Sequence, residues 1–158
     1  MMKRMFLGAV AAIVLTTGAG AQQLALPYGS PVTLAQAKRI VAAAEQSARS
    51  RNFTMAFAIV EPSGELVLFH KMDGTQYGSD LVAREKARTA ARFKRSTKAF
   101  FDSIAGGRNA VLSLPGVVAI EGGTPIVING QIVGAIGVSG GTSEQDGEVA
   151  AAALLGLK

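Results

Sequence analysis

The stretch EGGTPIVINGQIVGAIGVSGGTSEQDGEVA, Glu121 to Ala150, constrains the fold more than any other part of the chain. Two apolar runs flank Asn129-Gly130, a pair that marks a tight β-hairpin because both residues accept the positive φ the turn demands. The turn accounts for Gly130 alone. Gly134 and Gly137 fall inside the second strand, where glycine weakens pairing and signals a bulge or a close backbone approach. Gly122-Gly123 and Gly140-Gly141 flank the hairpin at one end, and the second pair leads into a helix N-terminus whose exposed amides suit an anion. Gly147 sits in the first turns of that helix, where it costs helix propensity unless a neighbour needs the room. Either the small-residue face of a helix or a flat ligand must lie against this hairpin.

The preceding segments supply the helices. In VTLAQAKRIVAAAEQSARSRN, Thr33 and Gln36 have capping-box spacing, and Leu34, Ala37, Ile40, Val41, Ala44 and Ala48 recur with helical period. FTMAFAIVEPSGELVLFHKMDG alternates with period two and breaks at Pro62 and Gly64, which predicts a first hairpin with strands near 54–61 and 65–71. A second helix follows, capped by Ser79 or Asp80, and a shorter third helix stops at Gly106-Gly107. The segment around 113–123 reads mostly as loop. A final helix begins at Thr142 or Ser143, runs to about Leu155, and carries Glu144, Asp146 and Glu148 towards its positive end. The order α-ββ-α-α-ββ-α predicts an α+β fold in which two sequential hairpins build an antiparallel sheet with helices packed on it.

The N-terminus bears on the compartment. Lys3 and Arg4 precede an apolar run from Met5 to Leu15, and small residues at 19 and 21 suit cleavage before Gln22. Residues 1–21 are therefore expected to be a secretory signal, 22–32 a linker and 33–158 the domain, periplasmic or secreted. The run is short for a membrane span. Removing it takes the formal charge from +5 to +3, a mild balance that gives no reason to expect nucleic acid. The chain has no cysteine, which excludes a disulfide framework, thiolate metal ligands and a cysteine nucleophile. Neither Walker A nor GxGxxG spacing occurs, so the glycines do not announce a nucleotide.

His70, the single histidine, ends the second strand in FHKMDG, on the face of Leu66 and Leu68. It reads as an axial haem-iron ligand or as a half-exposed strand-end side chain; alone, it does not make a non-haem metal site. On the second helix Arg84, Arg88, Arg92 and Arg95 form one stripe, most simply a solvated face, and Ala83, Ala87 and Ala90 another that permits close packing. Lys86 and Thr89 share the remaining face with Val82 and Phe93. A lysine among apolar side chains must meet an anion or reach water, so Lys86 with Thr89 is a candidate clamp for a propionate or small carboxylate. Glu121 and Asp146 are candidates for acid/base work across the glycine-rich end, or mere caps. Gly122, Gly123, Ser139 and Gly140 complete the candidate ligand-binding set. Ser139 and Ser143 have no second histidine to act as base, which argues against a hydrolase triad.

The runs VTLAQAKRIVAAAE, FHKMDG, KARTAARFKRST and LPGVVAIEGGTPIVINGQIVGAIGVSGGTSEQDGEVA, in this order, resemble the GlcG/HbpS family, the haem-degrading domain that also forms the C-terminal domain of PduO-type proteins. The resemblance covers roughly 33–155. It implies a compact domain related to profilin-like folds, often oligomeric, with haem or another tetrapyrrole as ligand. An iron-binding branch of the family uses a Glu-x-x-Glu pair, which this chain lacks. The expected function is thus an exported haem-binding protein, with a cleft beside the sheet anchored by Lys86, Thr89 and the hairpin's glycine-rich ends, and any turnover being slow redox chemistry of the iron. The alternatives are an enzyme or accessory protein acting on a small carboxylate of the glycolate type, and a non-catalytic homo-oligomeric interaction module.

Overall fold

A computed structural model describes residues 25–155 and 157. The segment read as a secretory signal lies outside the described residues. The elements follow the expected order: α1 (Leu34–Ser50), β1 (Ala56–Val60), β2 (Leu66–Lys71), α2 (Ser79–Phe93), α3 (Thr97–Ala105), β3 (Gly123–Ile128), β4 (Gln131–Ser139) and α4 (Ser143–Leu154), with a 3-10 turn at Asn109–Ser113 leading into the expected loop. The strands form one antiparallel sheet in the order β2-β1-β4-β3, so each hairpin puts one strand in the centre and one at an edge. Pro125 is accommodated because β3 is an edge.

Helix α2 covers one face of the sheet, α1 and α4 the other. Alternation along the central strands separates two cores: Phe57, Ile59, Ile136 and Val138 pack with α1 and α4, whereas Ala56, Ala58, Val60 and Ala135 pack with the alanines of α2. The α2 side is built almost wholly of alanine, which brings helix and sheet unusually close. Thr33 and Thr142 are both N-caps in complete capping boxes, with Gln36 and Gln145 returning the bond.

Two expectations require correction. Neither Ser79 nor Asp80 caps α2: Gly78 takes the N-cap position without a side-chain bond, and the Ser79 hydroxyl instead accepts from Ser139 at 3.1 Å in the interior. The arginine stripe of α2 is not a free solvated face. Arg88 Nε donates to the Gly64 carbonyl at 3.1 Å and Arg92 Nε to the Ser63 carbonyl at 2.7 Å, so the stripe grips the β1–β2 turn. Within the segment expected to be a linker, residues 27–32 are tied to the domain. Ile132 N donates to the Pro27 carbonyl at 2.9 Å, Val32 N to the Val133 carbonyl at 2.8 Å, and the Tyr28 hydroxyl to the Ala91 carbonyl at 2.8 Å. Residues 27–32 are a strap laid from the start of β4 to the end of α2.

Candidate functional site

The glycine-rich end of the second hairpin is assembled around one buried ion pair. Lys86, only 1 % exposed, comes from the middle of α2, and Asp146 from the first turns of α4. Lys86 Nζ donates to Asp146 Oδ2 at 2.7 Å and to the Val138 carbonyl at 3.1 Å. Asp146 Oδ1 accepts from the Gly141 amide at 2.9 Å. Burial pushes the Asp146 carboxyl above the usual carboxylate range, while Lys86 and the Gly140 and Gly141 amides pull it back. The anion that meets Lys86 is therefore supplied by the chain itself.

The same packing answers the question of the glycines. A Cβ at Gly137 would overlap the Ala83 carbonyl, and one at Gly123 the Lys86 carbonyl, so both make room for the α2 backbone. Gly122, at φ +122, lies under the ion pair: a Cβ there would stand 2.9 Å from Lys86 Nζ. A Cβ at Gly134 would overlap the Val60 carbonyl, and one at Gly140 the Thr54 carbonyl, so these two yield to the backbone beside β4. Gly147 accommodates the side chain of Glu121, which lies against α4 there. The cleft expected between α2 and this hairpin is filled by the helix itself.

The remaining candidates of this end are likewise occupied by the fold. The Thr89 hydroxyl donates to the Gly116 carbonyl at 3.2 Å and accepts from Val118 N at 3.0 Å, pinning the loop before β3. Thr97, not singled out from the sequence, accepts from the Gly123 amide at 2.9 Å. Ser139 is buried against Ser79. Glu121 is half-buried, and its side chain lies against Gly147, the residue after Asp146. Lys86, Thr89, Gly122, Gly123, Ser139, Gly140 and Asp146 are thus all engaged in contacts within the fold.

His70 stands apart, on the outer strand β2 and on the α1 face of the sheet. Its ring stacks on Phe57 at 6.0 Å between centroids, its side chain is 40 % exposed, and Nε2 lies 3.2 Å from Glu45 Oε2 of α1. Glu45 also takes Arg49 at 2.5 Å. Sequence spacing gives no sign of Glu45, twenty-five positions away on another element. An imidazole with a carboxylate close to one nitrogen and a partly exposed ring resembles the arrangement of metal-ligating histidines. Among the described residues there is no group of three or more His, Cys, Asp or Glu side chains that could hold a metal ion by themselves.

On the opposite face of β2, the β2–α2 loop opens a groove. A cavity of about 450 Å³ is lined by residues 71–77, and one of about 290 Å³ by Tyr77, Asp80, Leu81 and Arg84. Lys71 Nζ lies 4.8 Å from the centre of the Tyr77 ring, and the Arg84 guanidinium 4.9 Å from that of Phe69.

Comparison with known proteins agrees with this architecture. The family model described as haem degrading protein HbpS-like matches residues 32–155. Protein GlcG of Escherichia coli strain K12 is 39% identical over 103 residues, 65% of this chain and 77% of that protein. The crystal structure of a double mutant of HbpS from Streptomyces reticuli superposes with a TM-score of 0.75 at 26% identity, covering 95% of this chain and 99% of the other. A PduOC:heme complex superposes with a TM-score of 0.71 at 26% identity, covering 78% of this chain and 93% of the other.

Proposed function

The chain belongs to the HbpS-like family of haem-degrading proteins, and we propose that it binds haem or a related tetrapyrrole at the outer edge of its sheet, where His70 would hold the iron. Haem-related binding is a property of the family, and the PduOC relative is a haem complex. The observation that carries the reading to this residue is the His70–Glu45 pair, 3.2 Å apart at a half-exposed strand. The Glu45 carboxylate beside Nε2 would orient the ring and leave Nδ1 as the nitrogen to hold iron. Phe57 keeps the imidazole plane from turning. The bound group would supply the redox chemistry; the protein's part is to present one nitrogen and one apolar flank. The expected N-terminal signal would place this activity in the periplasm or outside the cell.

The small-carboxylate reading has less support, because Lys86 already carries Asp146 and neither reaches solvent. A haemin titration of the chain beginning at Gln22, followed by absorbance beside an unrelated basic protein, tests the proposal. A saturable Soret band that the control lacks, displaced or lost in His70→Ala, is expected. An unchanged band in that variant removes His70, and a band no stronger than the control's removes the function.

A further inference from the structure

The groove between the β2–α2 loop and the first turns of α2 is left unused by haem ligation at His70, since the two lie on opposite faces of β2. Its walls combine an aromatic surface with an unanswered cation. Tyr77 is 93% exposed and Leu81 64%, a costly display of apolar area for a small domain unless something covers it. Lys71 forms no ion pair among the described residues and sits over the Tyr77 ring. Arg84, which lines the smaller neighbouring cavity, reaches Asp80, yet its Nε is buried without an acceptor. The larger cavity has the volume of a small-molecule site.

We infer that this groove binds a planar aromatic monocarboxylate, its rings against Tyr77 and Leu81 and its carboxylate on Lys71. Stacking fits because the Tyr77 ring, apart from Lys71 over it, is exposed, and a flat ligand covers both it and Leu81 with little loss of side-chain freedom. The anion fits because Lys71 is the one cation of the groove without a carboxylate partner; Arg84 is neutralised by Asp80. Asp73 lines the same cavity, so a second negative charge on the ligand would meet repulsion. Chemistry alone thus predicts an order: monocarboxylate, then the neutral alcohol of the same ring system, then the dicarboxylate.

Calorimetric titration of the chain from Gln22 with naphthoate, naphthylmethanol and naphthalene dicarboxylate tests this order. Naphthoate is expected to bind in the sub-millimolar range, more weakly as salt rises. Tyr77→Ala is expected to weaken it about tenfold, and Lys71→Met to abolish its advantage over the alcohol. Tyr77 and Leu81 are exposed, so their variants should fold; circular dichroism checks it. No binding to the native chain, or Tyr77→Ala and Leu81→Ala both within about twofold of it, would overturn the inference. A change of sedimentation mass in those variants would also overturn it, by making the groove a contact between copies. A haemin Soret band kept in His70→Ala and lost in Tyr77→Ala would move the tetrapyrrole here and sink the monocarboxylate. A band lost in His70→Ala leaves the inference to stand on calorimetry alone.

Discussion

Lys86 Nζ meets Asp146 Oδ2 at 2.7 Å where neither side chain reaches solvent, which joins the middle of α2 to the start of α4 across the end of β4. A buried pair of this kind is weak evidence for stability but strong evidence for interdependence, since each charge is tolerable only through the other. Lys86→Ala and Asp146→Ala should each lower the unfolding free energy by about 3–5 kcal/mol, by leaving a lone buried charge. The double replacement Lys86→Met with Asp146→Leu should recover most of that loss. Urea titrations of the four proteins measure the coupling; equal losses in the singles and their sum in the double would show that the two do not act as a pair.

The glycines divide by the stiffness of what they face. At Gly137 the obstacle is the Ala83 carbonyl, fixed within α2, so Gly137→Ala should force helix and sheet apart and cost about 2–3 kcal/mol. At Gly147 the obstacle is the end of the Glu121 side chain, which can swing away, while alanine gains about 1 kcal/mol of helix propensity. Gly147→Ala should therefore leave the urea midpoint unchanged or raise it. Equal destabilisation by the two substitutions would contradict this account.

The amide of its own backbone and the Thr142 hydroxyl hold the Glu144 carboxyl below its ordinary value of 4.5. A carboxyl with a depressed folded value contributes stability that is present above the unfolded value and lost as pH falls through the folded one. The native chain should thus exceed Glu144→Gln in urea midpoint at neutral pH. The gap should close as the pH drops below 4.5 and the group becomes protonated. A gap that widens on acidification would reverse the sign and reject the capping role.

Local signals made most of the architecture legible, because capping boxes, turn residues and period are properties of neighbouring positions. Thr33 with Gln36, Asn129 with Gly130 and the alternation of β1 announce themselves without tertiary context. The glycines of β4 correctly required a close neighbour, and the alanines of α2 named one. What spacing could not decide was whether that neighbour left room for a guest, since overlap between Gly137 and the Ala83 carbonyl depends on the depth to which the helix sinks. The partners of Lys86 and His70 were hidden for the same reason: Asp146 and Glu45 belong to other elements, and only the assembled sheet brings them within bonding distance. Tyr77 and Arg84 gave no signal because an exposed loop aromatic and one arginine of a stripe look ordinary until their cavity is seen.

Glu45 offers the sharpest test of the haem proposal, because it touches the histidine and not the iron. If its carboxylate orients the imidazole, Glu45→Gln, which retains an acceptor but loses the charge, should keep the Soret band and weaken haemin affinity modestly. Glu45→Ala should weaken it by about 10–100-fold, the usual cost of removing a partner behind a metal-bound histidine. The charge change should also raise the reduction potential of the bound iron in both variants, because the imidazole becomes a poorer donor. A merely structural contact would move affinity and stability together without altering the potential. Spectroelectrochemical titration of the three proteins separates these outcomes: identical potentials with identical ligation would show that His70 and Glu45 are partners in the fold only.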